Sequence, residues 1–192
     1  EGAFEGADIH AENDWALQEA AENGHIEIVK YLVSPRINEV NSSSSTEGAF
    51  EGADIHAEND WALQEAAENG HIEIVKYLVS PRINEVNSSS STEGAFEGAD
   101  IHAENDWALQ KAAGNGHLEV VKYLISVGAD IHADNDEALQ KAAGYGHLEV
   151  VKYLVSVGAN IHIYNDFALR LALLLAEENG HGEVVTYLKS LA

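Results

Sequence analysis

The chain has 192 residues, 45% of them apolar, and its 33 acidic and 10 basic residues give a formal net charge of −23 at pH 7. This composition excludes wholesale disorder, because enough apolar side chains are present to build a core. Lys and Arg do not cluster, so nucleic acid and anionic membrane surfaces are disfavoured as partners. The acidity either attracts a basic protein surface or only keeps the chain soluble and monomeric.

Missing residue types narrow the chemistry and the location further. Cysteine is absent, which excludes disulfides, thiolate metal sites and a Cys nucleophile. No apolar run reaches the ~18 residues that a membrane helix needs, and no signal peptide is present. We therefore expect a cytoplasmic location, with a secreted or surface fibre as the alternative. Methionine is also absent and the chain starts at a repeat boundary, which indicates a processed, truncated or excised piece.

Internal repetition organises the sequence. Residues 1–46 and 47–92 are identical at every position, which indicates very recent duplication or deliberate construction. A shorter motif of about 30 residues lies inside each unit and recurs without insertion later in the chain. The five copies cover residues 6–34, 52–80, 98–127, 128–157 and 158–192. We expect one continuous array, because units this short bury their apolar faces only by stacking.

The first half of each repeat predicts a short helix. Asp14 precedes WALQEAAEN and is expected to act as its N-cap, accepting from free amides of the first turn. Leu17, Ala20 and Ala21 form an apolar stripe at helical spacing. Gly24 is expected to end the helix in the left-handed conformation.

The second half predicts another helix, which opens after His25 and reads IEIVKYLVS. Its buried stripe is expected to comprise Ile28, Val29, Leu32 and Val33. Glu27 and Lys30 are placed to pair on the exposed surface. A Gly-Ala-Asp-Ile-His turn then leads to the next repeat.

These features together resemble the ankyrin repeat. Residues 116–147 read GHLEVVKYLISVGADIHADNDEALQKAAGYGH, similar to the family's A-L-x-x-A-A-x-x-G-H-x-x-V-V-x-x-L core followed by Gly-Ala-Asp. The resemblance implies an all-α, ankyrin-type solenoid of stacked helix-turn-helix repeats, with a concave face built by finger loops and first helices. Two features depart from the family, because Thr-Pro-Leu-His is replaced by Trp15-Ala16-Leu17-Gln18 and its equivalents, and the repeat has about 30 residues instead of 33. The finger loops are therefore expected to be short.

This shortened form resembles the ankyrin proteins of giant DNA viruses, which would imply the host cytoplasm. The first two repeats carry insertions at residues 35–51 and 81–97, where later repeats have a single Val127 or Val157. Pro35 is expected to end the preceding helix, and the serine-rich stretch that follows is typical of a linker. We expect each insertion to loop out of a continuous stack, the alternative being tethered, separate repeats.

The two ends of the array differ. The last repeat has four extra residues in its first helix, in the segment ALRLALLLAEE, and more polar groups in its final helix. We interpret it as a C-terminal cap. No matching polar cap is found at Glu1, which leaves an apolar repeat face open to missing sequence or to self-association.

The histidines recur in two registers, and neither predicts a metal site. Equivalent side chains in stacked helices are expected to lie about 8–10 Å apart, too far to share an ion. Structural hydrogen bonding is the favoured role of both sets of histidines. It is favoured more strongly for the histidines that directly follow a glycine (the Gly-His register) than for those in the finger loops (the finger register), which lie beside Asp8, Glu12 and Asp14. The carboxylates repeat in equivalent, solvated positions. Catalysis instead needs titratable groups whose different surroundings give them different pKa values. We expect no catalytic residue, no metal and no cofactor.

Binding is favoured by positions that vary while the packing positions stay fixed. Leu17 and Ala20 keep their identity from repeat to repeat, whereas three exposed positions of the first helix change. The predicted partner-binding residues are Trp15, Trp61, Trp107, Glu137, Phe167, Glu19, Glu65, Lys111, Lys141 and Tyr145. Exposed aromatics are typical contact residues; the alternative is that each Trp packs on the preceding finger.

The sequence thus predicts a non-catalytic scaffold for protein–protein interaction with an acidic and aromatic concave face. Its partner is expected to be a protein that is basic and partly apolar, and neither nucleic acid nor membrane. The alternative is a structural protein that assembles head-to-tail into a fibre or forms part of a longer array, through the uncapped N-terminal repeat.

Overall fold

The computed structural model describes residues 11–34, 36–37, 49–50, 52–80, 82–83, 95–96, 98–160 and 167–191. Within these ranges the chain forms pairs of helices, as expected from the sequence. The helices are α1 (Ala11–Glu22), α2 (Ile26–Val33), α3 (Ala57–Glu68), α4 (Ile72–Val79), α5 (Ala103–Gly114), α6 (Leu118–Ser126), α7 (Ala133–Gly144), α8 (Leu148–Ser156), α9 (Phe167–Glu178) and α10 (Gly182–Ser190). No helix in this part of the chain is both long and apolar enough to cross a membrane.

The first helix of each pair begins with a tight left-handed segment. In α3 the φ angles of Glu58, Asn59 and Asp60 are 51°, 57° and 61°, so the right-handed helix starts only at Trp61. Left-handed residues other than glycine are uncommon, and Asn and Asp tolerate the conformation best. The same segment recurs in α5 and α7.

The predicted capping role of the aspartate at this position is wrong for Asp60, Asp106 and Asp136. The Asp60 carboxylate accepts hydrogen bonds from Nδ1 of His56 at 2.9 Å and from the backbone amide of Asp100 at 2.9 Å. The Asp60 side chain therefore joins the finger loop that precedes α3 to the finger loop that precedes α5. Its left-handed backbone differs from the extended conformation of an N-cap residue. Asp14, the equivalent residue of the first repeat, is also buried.

The predicted glycine stop of the first helix is confirmed. Gly70 has a φ of 77°, and its amide donates to the carbonyl of Ala67 at 3.3 Å. The next amide, of His71, donates to the carbonyl of Ala66 at 2.8 Å. These two bonds form a Schellman motif, which satisfies carbonyls at the helix end. His71 then precedes α4, the second helix of that repeat.

The first helices of neighbouring repeats pack against one another more closely than the second helices do. Small residues such as Ala62, Ala66, Ala67 and Gly114 are buried on the first helices. The second helices bury larger side chains. The smaller side chains allow the closer packing of the first helices. One continuous core of Leu, Val, Ile and Ala runs between the two layers.

The chain leaves and re-enters the stack at matching points around each insertion. In an uninterrupted repeat the amide of Ala129 donates to the carbonyl of Leu124 at 3.0 Å. Across the first insertion the amide of Ala53 makes the equivalent bond to the carbonyl of Leu32 at 2.8 Å. Short antiparallel strands flank the insertions, β1 (Arg36–Ile37) with β2 (Ala49–Phe50) and β3 (Arg82–Ile83) with β4 (Ala95–Phe96). Helix α1 contacts α3 and α3 contacts α5, so the helix stack continues past both insertions. Both serine-rich stretches lie outside the described residues.

The predicted apolar stripe of the second helix is confirmed for Val29, Leu32 and Val33, which are buried. It is wrong for Ile28, which is 48% exposed, whereas the equivalent Ile74 is 1% exposed. Helix α4, which carries Ile74, packs against α2 of the preceding pair. No helix pair lies ahead of Ile28 in the described part of the chain.

The last repeat has the longer first helix that the sequence predicts. Helix α9 begins at Phe167 and ends at Glu178, whereas the right-handed part of α7 runs from residue 137 to 144. The difference is about one turn. The apolar stripe therefore keeps its direction, and Leu169, Ala172 and Ala176 are buried.

Candidate interaction surface

The predicted partner-binding residues share one face of the first helices. Trp61 and Glu65 are four residues apart, as are Trp107 and Lys111, and this spacing brings side chains together on a helix. Trp15 and Trp61 are 54% and 45% exposed. We call this surface the first-helix face. Its described members are Trp15, Glu19, Trp61, Glu65, Trp107, Lys111, Glu137, Lys141 and Tyr145.

One predicted member cannot be placed on this face. Phe167 is the first residue of α9, but its side chain lies outside the described residues, as do Asp8, His10 and His162. The remaining members are exposed or partly exposed, and none is buried.

The C-terminal half of the first-helix face contains a shallow groove of about 540 Å³. It is lined by residues from three successive repeats: Glu68, Trp107, Gln110, Lys111, Gly114, Asn115, Lys141, Tyr145 and His147. Tyr145 is 66% exposed at its rim. The structure thus brings Trp107, Lys111, Lys141 and Tyr145 together, and their role in partner binding stays a prediction.

Two lysines line this groove beside the Trp107 ring. The Lys141 ammonium lies 3.8 Å from the centroid of the Trp107 ring, and that of Lys111 lies 5.3 Å from it. Lys111 also pairs with Glu68 at 2.6 Å, and Lys141 with Glu137 at 3.2 Å. A cation over an indole face is attracted by the ring quadrupole. The charges of this half are therefore largely neutralised within the chain.

The N-terminal half of the face is acidic. Burial raises the pKa of the Glu65 carboxyl, and repulsion from Glu68 and Glu22 raises that pKa further. Lys111 and a hydrogen bond from Trp61 act in the opposite direction. Glu65 is thus a partly desolvated carboxylate beside an exposed indole, with like charges around it.

A ladder of aspartates beside the face joins the fingers of neighbouring repeats. Oδ1 of Asp106 accepts a hydrogen bond from the backbone amide of Asp130 at 2.8 Å. Oδ1 of Asp136 accepts one from the backbone amide of Asn160 at 3.1 Å. Burial raises the pKa of Asp60, while the Asp100 amide and His56 lower it. The sequence did not indicate this role of the aspartates through any known motif. Its signal was an aspartate unchanged in every repeat.

Buried glutamines hold the left-handed segments in place. Gln64 donates to the carbonyl of Asn59 at 2.7 Å, and Gln140 donates to that of Asn135 at 2.7 Å. Gln110 donates to the carbonyl of Asn105 at 2.9 Å and accepts from Lys141 at 3.0 Å. These residues stand where the Thr-Pro-Leu-His pattern has histidine. The turns that Gln64 and Gln110 support lie directly before Trp61 and Trp107.

The histidines make hydrogen bonds within and between repeats. In the finger register, Nδ1 of His132 lies 2.9 Å from the Asp136 carboxylate. In the Gly-His register, Nε2 of His71 bonds the carbonyl of Glu22 and that of His117 bonds the carbonyl of Glu68, both at 2.8 Å. Within the described ranges, no group of three or more His, Asp and Glu side chains is arranged to hold a metal ion.

Comparison with known proteins gives one family. A family model for ankyrin repeats (3 copies) matches residues 3–90, 84–165 and 109–191. No curated protein matches the chain.

Proposed function

Because the chain belongs to the ankyrin repeat family, we propose that it is a non-catalytic scaffold that binds a protein partner through its first-helix face. Ankyrin repeats are generally modules for protein–protein interaction and are typically non-catalytic. In this proposal the five repeats form one array. The last repeat acts as its C-terminal cap, and the insertions at residues 35–51 and 81–97 loop out of it.

One observation carries the proposal. Trp15 and Trp61 are about half exposed on the first-helix face, at 54% and 45%. Large aromatic side chains are costly to leave in water and are frequent contact residues at interfaces. The positions that pack the repeats are already filled by Leu17, Ala20 and their equivalents, so the Trp side chains are free for recognition.

The charge around these aromatics indicates the kind of partner. Glu19, Glu22, Glu65 and Glu68 lie on the first helices of the same two repeats, and the whole chain has a formal charge of −23. A basic surface would be attracted by this field and would approach it faster at low salt. The partner is therefore expected to present basic residues together with apolar ones.

Capture from an extract, compared between matched variants, tests the proposal. The test variant replaces Trp15, Trp61 and Trp107 by Ala. Its control replaces Tyr31, Tyr77 and Tyr123 by Ala on the second helices, and the urea midpoint of each variant is measured to establish folding. A protein retained by the wild type and the Tyr variant but lost by the Trp variant supports the first-helix face. Equal retention by both variants contradicts it.

A second candidate function is structural, namely head-to-tail assembly into a fibre or a longer array. The observation in its favour is Ile28, which is 48% exposed where the equivalent Ile74 is 1% exposed. An apolar repeat face of this kind would be covered by the last repeat of another molecule. Sedimentation over a range of concentrations tests this candidate, and a monomer at every concentration and salt would contradict it.

A further inference from the structure

Lys141 shows how this surface holds a cation. Its ammonium lies 3.8 Å from the centroid of the Trp107 ring, donates to Oε1 of Gln110 at 3.0 Å and pairs with Glu137 at 3.2 Å. The contact connects two neighbouring repeats. The aromatic ring starts the first helix of one repeat, and the lysine lies one turn into the first helix of the next.

The same pair of positions occurs in the earlier repeats, but with other residues. The position that Lys141 holds relative to Trp107 is held by Glu65 relative to Trp15, and by Lys111 relative to Trp61. Lys111 is drawn away, because it pairs with Glu68 at 2.6 Å. Among the described residues, no cation lies over the ring of Trp15 or Trp61.

We infer that Trp15 and Trp61, with Glu65 between them, bind basic side chains of the partner, each cation lying over an indole ring as Lys141 lies over Trp107. This inference rests on the proposed function and specifies the chemistry of the partner at that face. The occupants are Lys or Arg side chains carried by one polypeptide segment.

The electrostatics of Glu65 favour such an occupant. Glu65 is partly buried and accepts a hydrogen bond from Trp61, while Glu22 and Glu68 add like charge beside it that Lys111 offsets only in part. A cation placed here would offset that repulsion and would pair with a carboxylate that is already partly desolvated. Glu19, four residues from Trp15, supplies a carboxylate at the other ring.

The repeat spacing sets the spacing of the basic residues. Packed helices lie about 8–10 Å apart, so neighbouring tryptophans present their rings at roughly that interval. A polyproline II segment advances ~3.1 Å per residue and returns to the same side every three residues. Basic residues at positions i and i+3 of such a segment therefore match the two rings, whereas adjacent basic residues do not.

Calorimetric titration of the full chain with synthetic peptides tests the inference. The matching probe is the acetylated and amidated peptide PPKPPKPP, and the spacing control is its isomer PPPKKPPP. We expect the matching peptide to bind about five-fold more tightly than its isomer, since only it reaches both rings. Replacing both lysines by norleucine is expected to abolish measurable binding.

Two charge reversals separate the site from the overall field. Glu65→Lys places an ammonium where Lys141 already lies in the later repeat, and it should weaken the matching peptide about ten-fold. Glu73→Lys makes the same change of net charge on a second helix, and it should weaken the peptide less than about two-fold. Glu65→Gln removes the charge while keeping the shape, and its loss of affinity for the matching peptide should lie between those of the two charge reversals. This variant provides the result if Glu65→Lys fails to fold.

Two results would overturn the inference. One is an equal effect of Glu65→Lys and Glu73→Lys, which would indicate attraction by net charge alone. The other is undiminished binding of the norleucine peptide, which would indicate apolar recognition. The proposed function is judged separately by the Trp and Tyr variants, so either result can occur while that proposal stands.

Discussion

The carboxylate of Asp106 accepts a hydrogen bond from the backbone amide of Asp130 at 2.8 Å, so that a side chain of one finger satisfies the main chain of the next. His102 bonds the same carboxylate at 3.1 Å. This arrangement recurs at Asp60 and Asp136. Because the aspartates join one repeat to the next, stability should depend on them even though they lie beside the surface.

Replacing Asp106 tests this ladder. Asp106→Ala removes the acceptor and leaves the Asp130 amide without it, which should lower the free energy of unfolding by about 1–3 kcal/mol. Asp106→Asn keeps an oxygen acceptor and should cost less than half as much. Urea unfolding of the three proteins gives the comparison. Equal losses for Ala and Asn would show that the hydrogen bond to Asp130 contributes little.

The glycine that ends each first helix should contribute to stability for two reasons, which two substitutions can separate. Gly116 has a φ of 79°, and a Cβ atom there would overlap Nδ1 of His147. Gly180 has a φ of 78° with nothing within 4 Å of that Cβ position. Gly180→Ala should cost about 1 kcal/mol for the left-handed backbone alone, and Gly116→Ala should cost more, because His147 must also move.

Thermal or urea unfolding of the two glycine variants measures the difference. If both substitutions cost the same, the His147 ring adjusts without loss, and its packing over Gly116 does not contribute to the stability of the stack.

The ionisation of Asp60 should give a definite sign of pH dependence. Burial raises its pKa above the ordinary 3.8, so the folded chain binds this proton more tightly than the unfolded chain. Ionisation therefore lowers the free energy of unfolding as the pH rises through the raised pKa. Asp60→Asn does not ionise, and its stability relative to the wild type should increase from pH about 3.5 to about 6.

Urea midpoints of the wild type and of Asp60→Asn at these two pH values provide the measurement. The comparison is repeated in a His56→Ala background, because the ring that bonds Asp60 also titrates. A relative stability that stays constant, or falls as the pH rises, would contradict the effect of burial on Asp60.

The insertion between the second and third repeats should be dispensable for folding. The amide of Ala99 donates to the carbonyl of Leu78 at 2.8 Å, as Ala129 donates to Leu124 at 3.0 Å. Replacing residues 81–97 by a single Val should therefore keep this bond and the stack. Stability should stay equal or rise by up to about 1 kcal/mol, because a shorter loop costs less closure entropy. Loss of cooperative unfolding would contradict the equivalence of the two connections.

The helix pairs were predictable because their signals are local. Apolar residues at helical spacing and glycine at the helix end determine most of each repeat, and Leu17, Ala20 and Gly24 behave as their sequence context indicates. The role of Asp60 was not predictable from spacing alone. An aspartate before a helix is usually a cap, and its true partner, Asp100, lies 40 residues away in sequence.

The candidate surface was predictable in outline and not in detail. Variation at the Trp107 position, against constant Leu and Ala, indicated a surface free for recognition. Sequence could not show that Lys141 crosses from the next repeat to cover Trp107, while Trp15 and Trp61 stay exposed. That difference depends on ion pairs such as Lys111 with Glu68, which form only once the repeats are stacked.

Site-specific photo-crosslinking tests the central claim, that the first-helix face binds a protein partner, most directly. A photoreactive phenylalanine at position 19 lies on this face, and one at position 27 lies on the exposed side of the second helix. We predict that position 19 crosslinks one partner protein and position 27 does not, and that the crosslink is lost when Trp15 and Trp61 are replaced by Ala. A crosslink from position 27 alone, or one from position 19 that survives these replacements, would contradict the account.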